Sequence, residues 1–254
     1  MGTVVGDNRQ DSGPAWPPAI YEDDYLLVVD KPAGVTVHPS PRWRYDTVIQ
    51  RLRARPCEPG SRVQLAHRLD RETSGVLVVT KDPETNRIVH ETFAAGRARK
   101  TYLALVVGDP AWDRTRAEAP IGKHPSSDVL IRMAVVPDGA ASTTEFTVVE
   151  RLAGHALVEA RPLTGRTHQI RVHLGHLGHP VLGDKIYGPD EQLFIRWYEG
   201  RTDDQDWRNL GMDRHALHAE RLVLPHPWRS GDVDIRAPLP SDMRSKVAAL
   251  REAR

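Results

Sequence analysis

Asp70, an aspartate set between Arg68 and Arg71, has the neighbours that a reactive carboxylate needs. Cations within a few ångströms keep a carboxylate ionised and lower its pKa, and an ionised carboxylate at the floor of a pocket can act as a nucleophile. Residues 66–75 lead directly into the apolar, β-branched run 76–80, which is typical of a buried strand. The sequence therefore predicts that Asp70 lies on a loop at a strand edge.

The loop around Asp70 is expected to be stiff. Gly75 marks a tight backbone position, and Thr73 and Ser74 are predicted to hydrogen-bond the local backbone and hold the turn. These residues alone leave an alternative open, in which Asp70 is a turn aspartate capped by its neighbours and has no chemical role.

A second stretch that could do chemistry covers residues 163–174 and contains Arg166. Thr167 is the expected N-cap of a helix that closes near Gly178, so Arg166 would lie at the mouth of that helix. The region also holds a group of histidines that raises the alternative of a zinc site: His168, His173, His176 and His179. Their spacing matches neither a helical zinc pair nor a finger, and no cysteine is near, so a structural or RNA-facing role is favoured.

Tyr102 lies in the apolar run 101–107, which is predicted to be a strand. In isolation, a tyrosine in this setting is more typical of a core aromatic residue than of a functional one. A small basic cluster comes just before it and, taken alone, is typical of a solvated helix end: Arg97, Arg99 and Lys100.

The composition is that of a soluble globular protein with a sizeable core: 254 residues, 27% charged and 39% hydrophobic. The net charge is only +1, so a nucleic-acid partner would need the positive charge gathered on one face. The single cysteine, Cys57, excludes an intrachain disulfide and fits a reducing cytoplasm. No apolar run approaches the roughly 20 residues that span a bilayer, so membrane residence is not expected.

The elements that must position these residues alternate between strands and helices. Residues 1–18 are polar and proline-rich and are expected to be a disordered tail. Strands are predicted at 25–31, 35–38, 76–80, 101–107, 129–136, 142–152, 155–161 and 216–224, with a loop at 109–128 and a turn at 183–188. Helices are predicted from caps at Asp46, at Asp82 and at Ser241 or Asp242, and a helical insertion is predicted at 189–213.

Five separated motifs resemble those of the RluA-type RNA pseudouridine synthases, in that family's order, between about residues 20 and 240. They are His67-Arg68-Leu69-Asp70 with Thr73-Ser74-Gly75, Lys100-x-Tyr102, Gly165-Arg166-x-His168-Gln169-Ile170-Arg171, Gly183-Asp184-x-x-Tyr187-Gly188 and Leu217-His218-Ala219. The resemblance makes the purely structural aspartate a minor alternative.

The resemblance implies the pseudouridine synthase fold, a mixed α/β (α+β) domain around a largely antiparallel central sheet with flanking helices. That catalytic domain would cover residues 19–254. Many relatives carry an N-terminal RNA-binding module of the S4 type, which is not expected in this sequence. Substrate capture would then depend on the catalytic domain, with a contribution from the insertion.

The implied chemistry is the isomerisation of uridine to pseudouridine in ribosomal or transfer RNA, without a metal or other cofactor. By resemblance, Asp70 is the catalytic nucleophile, Arg166 is the arginine that pairs with it, and Tyr102 is the active-site tyrosine that stacks on the extruded uracil. Whether Asp70 attacks the sugar, attacks the base or helps to remove a ribose proton stays open.

The resemblance also implies contacts to the substrate. Arg68 would help to open the RNA around the flipped nucleotide, and Leu217 would form an apolar wall beside the base. His67 would shape the loop, and Leu69 belongs to the same motif. Phosphate contacts are expected from basic residues, with affinity that falls with salt: Arg97, Arg99, Lys100, Arg171 and Lys185.

The protein is expected to be a cytoplasmic monomer that binds structured RNA. Two functions from other classes compete with the synthase. One is an RNA-binding assembly factor that has lost catalysis, against which the intact catalytic positions argue. The other is a metal-dependent hydrolase built on the histidine group.

Overall fold

The computed structural model describes residues 17–40, 43–54 and 62–254. Cys57 and residues 1–16 of the expected tail 1–18 lie outside the described residues, whereas the carbonyl of Pro18 accepts from the backbone N–H of Asp30 at 2.9 Å. The strands are β1 Ala19–Glu22, β2 Leu26–Lys31, β3 Gln64–Leu65, β4 Ser74–Thr80, β5 Arg99–Val107, β6 Arg114–Glu118, β7 Ile121–Lys123, β8 Met133–Val135, β9 Thr143–Leu152, β10 His155–Pro162, β11 Leu217–Pro225 and β12 Asp232–Arg236. The helices are α1 Val48–Arg53, α2 Pro83–Ala94, α3 Gln169–His176, α4 Gln192–Tyr198, α5 Asp204–Leu210 and α6 Ser241–Glu252.

One long mixed sheet organises the described part of the chain. Its main order is β1-β2-β4-β11-β5-β10-β9-β6, with β12 beside β11 and β3 beside β4, while β7 and β8 form a separate hairpin. Among the described strands, the pairing of β4 with β11 is parallel and the others are antiparallel. The expected mixed α/β class, with a largely antiparallel sheet and flanking helices, is confirmed.

The centre of the sheet is where the chemically interesting segments meet. Tyr102 on β5 pairs with Ala219 on β11, and Ala219 pairs with Gly75 on β4. Gly75 has a φ of +108°, and a Cβ there would lie 2.2 Å from the carbonyl oxygen of Ala219, so only glycine permits this approach. The close crossing brings the Asp70 loop, which precedes β4, next to the start of β11.

The helices flank the sheet and bury apolar side chains against it. Helix α2 begins as predicted: the side chain of Asp82 accepts from the backbone N–H of Thr85 at 2.9 Å, and Pro83 occupies the first turn. Gly96, with φ +68°, follows its end. Helix α3 packs beneath the sheet through Ile170 and Leu174. None of the helices in the described ranges combines the length and apolar character that crossing a bilayer requires.

Several local predictions were wrong because tertiary pairing overrides local composition. The expected loop at 109–128 contains β6 and β7, whose charged residues alternate along a strand paired with β9 or β8. Residues 35–38, expected to form a strand, do not form one, although Val37 is buried. Strands β1 and β12 were not predicted. The insertion at 189–213 is helical, as predicted, and holds α4 and α5.

The predicted caps of two helices also differ from those observed. At α1 the N-cap is Thr47, which forms a capping box with Gln50, while Asp46 adopts φ +61° and pairs with Arg51. At α6 the N-cap position is Pro240, so both Ser241 and Asp242 lie in the first turn, and the carboxylate of Asp242 accepts from Arg214 at 2.6 Å.

Candidate active site

A cleft of about 540 Å³ opens over the centre of the sheet. It is lined by the Asp70 loop, the start of β5, the end of α2, the loop before α3 and the first residue of β11. Among the described residues that line it, Asp70 is the one carboxylate, whereas four are arginine or lysine: Arg68, Lys100, Arg166 and Arg171. The cleft is therefore suited to a polyanion that presents a reactive group to a carboxylate.

The cleft floor consists of Asp70, Arg171 and Asp184, joined by charged hydrogen bonds. Arg171, on α3, donates from Nη1 to Oδ2 of Asp70 at 3.0 Å. Its Nε and Nη2 donate to the two oxygens of Asp184 at 2.6 and 2.8 Å. The side chain of Arg171 is only 4% exposed and that of Asp70 is 25% exposed, so the ion pair is largely desolvated with one carboxylate face open to the cleft.

The electrostatic environment keeps Asp70 ionised. Burial would raise the pKa of its carboxyl, but the positive charges of His168 and Arg171 outweigh burial and lower that pKa to about 2. At neutral pH His168 is itself uncharged, because burial lowers its pKa to about 4. Arg171 is then the cation in contact with Asp70, and it holds the carboxylate charged and oriented.

The arginine that pairs with Asp70 is not the predicted one. Arg166 is exposed, and its Nε donates to the carbonyl oxygen of Ala141 at 3.2 Å. The prediction placed Arg166 at the mouth of a helix capped by Thr167, whereas α3 begins at Gln169. Because of this shift Arg171, and not Arg166, contacts Asp70.

Arg171 was also expected to contact phosphate groups of the substrate, and its position does not fit that role. Its guanidinium is committed to two carboxylates and is nearly inaccessible. Lys185, another expected phosphate contact, is 3% exposed and pairs with Glu72 at 3.0 Å. Both side chains are therefore buried and paired with carboxylates of the protein itself.

His168 occupies the N-cap position of α3 with a left-handed φ of +58°. Its Nδ1 lies 2.8 Å from the hydroxyl of Tyr187, and its Nε2 lies 3.9 Å from Oδ1 of Asp70. Loop 163–168 is held from within by Gln169, whose side-chain oxygen accepts from the backbone N–H of Arg166 at 3.0 Å. The amide nitrogen of Gln169 donates to the carbonyl of Thr143 on β9 at 2.9 Å.

The Asp70 loop has a local turn bond, from the backbone N–H of Thr73 to the carbonyl of Asp70 at 3.1 Å, but the side chains of Thr73 and Ser74 bond to distant segments and not to the local backbone as predicted. Thr73 Oγ1 lies 2.8 Å from Nε2 of His215, and Ser74 Oγ lies 2.9 Å from Nδ1 of His218. On the other side, buried Lys31 donates to the carbonyl of Arg71 at 3.0 Å. Burial lowers the pKa of Lys31 to about 7. These long-range bonds fix the backbone that carries Asp70.

Tyr102 and Leu217 both line the cleft, as predicted. Burial and the charge of Asp70 raise the pKa of Tyr102, so its hydroxyl keeps its proton at neutral pH. Leu217 is 4% exposed at the start of β11, and Leu69, 6% exposed, also borders the cleft. The cleft therefore has apolar and aromatic side chains beside Asp70 that could hold a planar base.

The cleft rim is formed by three cations: Arg68, Lys100 and Arg166. Arg68 is exposed and makes no hydrogen bond or ion pair within the described residues. Lys100 donates to the carbonyl of Thr164 at 3.1 Å. His67, predicted to shape the loop, accepts from the backbone N–H of Val78 at 3.0 Å.

The histidine group does not assemble as a metal site. Within the described ranges no three His, Cys, Asp or Glu side chains gather closely enough to hold a metal ion. His173 is buried between Oγ1 of Thr144 and the carbonyl of Ala119, and His179 lies 3.1 Å from the carbonyl of Val107. These contacts favour the predicted structural role over the hydrolase alternative.

Reasoning from the sequence missed Asp184, His168, Tyr187 and Lys31 as supports of the site. Asp184 and Tyr187 belong to the turn 183–188, whose two flanking glycines were the signal that its backbone is constrained. Gly183 has φ +76°, and a Cβ there would lie 2.1 Å from the carbonyl of Arg214.

Comparison with known proteins gives concordant matches. A family model described as RNA pseudouridylate synthase matches residues 25–176. The ribosomal large subunit pseudouridine synthase D of Xanthomonas campestris pv. campestris is 40% identical over 235 residues, covering 92% of this chain and 69% of that protein. The ribosomal large subunit pseudouridine synthase C of Yersinia pestis is 39% identical over 234 residues, with shares of 92% and 69%.

The solved structures agree with the sequence matches. The structure described as human RNA Pseudouridylate Synthase Domain Containing 4 superposes with a TM-score of 0.70 at 28% identity, and the match covers 92% of each chain. The corresponding human domain containing 1 gives a TM-score of 0.66 at 29% identity, over 92% of this chain and 94% of the other.

Proposed function

This chain belongs to the RNA pseudouridylate synthase family, in its RluA-type branch, and we propose that it isomerises uridine to pseudouridine in large-subunit ribosomal RNA with Asp70 as the nucleophile. The observation that carries the proposal is the ionised Asp70 carboxylate, held by Arg171 in a cleft that Tyr102 also lines and whose other charged residues are cations. Transfer RNA, which the sequence analysis kept as an equal substrate, is the second choice, because the similar bacterial proteins are named for the large ribosomal subunit.

The reaction rearranges one uridine without adding or removing atoms. The bond between ribose C1′ and uracil N1 breaks, a bond forms between C1′ and C5, C5 loses a proton and N1 gains one. Asp70 is suited to this chemistry because its Oδ2 is held by Arg171 while its Oδ1 accepts no hydrogen bond from the described residues, the Nε2 atom of His168 lying 3.9 Å away. A pKa of about 2 leaves this oxygen nucleophilic at neutral pH.

The target base must leave its helical stack to reach Asp70. Stacking on an aromatic ring such as Tyr102 contributes ~1–3 kcal/mol per base, which offsets much of the few kcal/mol that flipping requires. Leu217 lies on the same sheet centre and provides an apolar wall. Arg68 is free to occupy the space that the base leaves, since a planar guanidinium stacks between bases.

The cleft rim is proposed to bind the flanking phosphates. Arg166 lies in the loop before α3, and Lys100, at the start of β5, reaches the same loop by donating to the carbonyl of Thr164 at 3.1 Å. Because phosphate contacts release counterions, RNA affinity should fall steeply with salt. A ribosomal RNA substrate would place the protein in the cytoplasm.

Tritium release from RNA labelled at uridine C5 tests this function and the choice of substrate. Unmodified large-subunit ribosomal RNA and a pool of unmodified transfer RNA would be incubated in parallel with the purified protein. We expect release from the ribosomal RNA and none above background from the transfer RNA. Release from transfer RNA alone would overturn the choice of ribosomal RNA as the substrate. Release from neither RNA would overturn the enzymatic function.

A further inference from the structure

We propose that Tyr187 sets the tautomer of His168, so that His168 presents an Nε2–H to Oδ1 of Asp70 and positions that oxygen for the reaction. This inference rests on the proposed synthase activity of the site. It assigns a positioning role to two residues that the sequence analysis left without one. No proton leaves His168 in this scheme, so the residue acts through Asp70 rather than on the substrate.

The hydrogen bonds of Tyr187 determine where its proton goes. The hydroxyl oxygen of Tyr187 accepts from the backbone N–H of Met133, on β8, at 2.9 Å. Its single hydroxyl proton is then available to the neighbouring Nδ1 of His168 at 2.8 Å. If Nδ1 carried a proton instead, the Tyr187 oxygen would accept twice and its own proton would have no acceptor among the described residues.

A neutral imidazole carries one proton, so an accepting Nδ1 places that proton on Nε2. Burial lowers the pKa of His168 to about 4, so the ring is neutral at pH 7. The Nε2 atom lies 3.9 Å from Oδ1 of Asp70. This distance is too long for a hydrogen bond, but a movement of about 1 Å would bring it into the usual range.

The ring of His168 packs against the ring of Tyr187, which itself packs against Arg171. It meets the ring of Tyr187 edge-on, with centroids 5.6 Å apart and an interplanar angle of 80°. The ring of Tyr187 in turn lies 5.0 Å from the guanidinium carbon of Arg171. The orientation of Nε2 toward Asp70 is therefore a property of the packed site and not of a freely rotating side chain.

One turn thus controls both oxygens of Asp70. Asp184 holds Arg171, which donates to Oδ2. Tyr187, three residues later, orients His168 toward Oδ1. The turn is itself rigid because Oδ1 of Asp184 accepts from the backbone N–H groups of Ile186 and Tyr187 at 2.9 and 3.1 Å. A paired support of this kind fixes a carboxylate more firmly than either contact alone.

Nuclear magnetic resonance of protein labelled with ¹⁵N-histidine tests the tautomer directly, without any substrate. The signal of His168 would be assigned by its loss in His168→Asn. We expect the pattern of a neutral ring with its proton on Nε2, and a shift toward the Nδ1–H form in Tyr187→Phe. A wild-type ring with its proton on Nδ1 would overturn the proposal.

Single-turnover kinetics test the positioning role. Tyr187→Phe keeps the ring but loses the hydroxyl, and we expect the rate to fall about tenfold with RNA affinity unchanged within about twofold, since small misplacements of a reacting group have large effects on rate. The matched control is Tyr21→Phe, on the edge strand β1, which loses a hydroxyl bond to Asp23 and should keep the wild-type rate. A loss confined to affinity, or equal losses in both variants, would contradict the proposal.

Two substitutions of His168 separate a donor role from a backbone role. His168→Gln can place an N–H near the position of Nε2, whereas His168→Asn suits the left-handed backbone better but is too short to reach Asp70. We expect the glutamine variant to be faster than the asparagine variant; the reverse order would overturn the proposal. If wild-type protein released no tritium from any RNA, the synthase function would fail while the tautomer measurement still stood.

Discussion

The cleft floor and the cleft rim both contain arginine side chains but hold them in opposite ways. In the floor, Asp70, Arg171 and Asp184 are joined by hydrogen bonds of 2.6–3.0 Å, and Arg171 is 4% exposed. In the rim, Arg68 has no partner within the described residues, and Arg166 makes one bond to a backbone carbonyl. The floor is preorganised, whereas the rim can adjust.

This difference matches what each region has to do. A reacting carboxylate must be in place before the substrate arrives, because reorganisation during the reaction would raise the barrier. Contacts to a flexible RNA backbone gain from side chains that can follow it, and most of their binding free energy comes from release of counterions. Substitutions in the floor should therefore lower turnover or stability, whereas substitutions in the rim should mainly lower RNA affinity.

The largest effect is expected from Asp70→Asn, which keeps the size of the side chain and removes its charge. We expect turnover to fall by at least about a thousandfold, because losing the reacting group removes its whole contribution to the transition state. RNA binding should persist, since the rim is intact. Asp232→Asn, which removes a surface partner of Arg99, is the matched control and should keep full activity. Comparable losses in both variants would refute the assignment.

The second effect concerns stability and separates the two regions. Arg171→Met would leave two carboxylates in the floor without their cation, so the free energy of unfolding should fall by about 3–5 kcal/mol. Arg166→Met, on the rim, should change it by no more than about 0.5 kcal/mol. Denaturant unfolding of the two variants measures the difference, and equal values would contradict a preorganised floor.

The third and smallest effect concerns RNA affinity and its dependence on salt. Arg68→Gln, Lys100→Gln and Arg166→Gln should each weaken binding and reduce the slope of log affinity against log salt by about 0.7–1. Binding titrations at several salt concentrations give these slopes. An unchanged slope in all three variants would show that the rim does not contact phosphates.

Much of the site could be predicted from the sequence because its loops are short and its strands are strongly patterned. Asp70 comes five residues before Gly75 and an uninterrupted apolar strand, and Tyr102 lies in a similar strand. Those local patterns determine where each residue sits along its own element. The resemblance to the RluA-type family, and not those patterns, implied that Tyr102 and Leu217 belong to the same site as Asp70, and all three line the cleft.

The partner of Asp70 could not be predicted in the same way. Choosing between Arg166 and Arg171 depends on where α3 begins, and that depends on His168 adopting a left-handed conformation. This conformation accompanies contacts to residues far along the chain, such as Tyr187. Strand β6 was missed for a related reason, since its charged residues are ordered by pairing with β9.

The central claim is that the cleft floor presents an ionised carboxylate before RNA binds, and the titration of Asp70 followed by ¹³C magnetic resonance tests it most directly. We expect a pKa near 2 in the free protein, below the value of about 3.9 in an unfolded chain. Because the folded pKa is the lower one, this group should stabilise the fold above about pH 4, and that contribution should be lost as the pH falls toward 2. In Arg171→Met the pKa of Asp70 should rise, since one of the positive charges that oppose burial, chiefly those of His168 and Arg171, is then lost. A pKa at or above 4 in the wild-type protein would contradict the account.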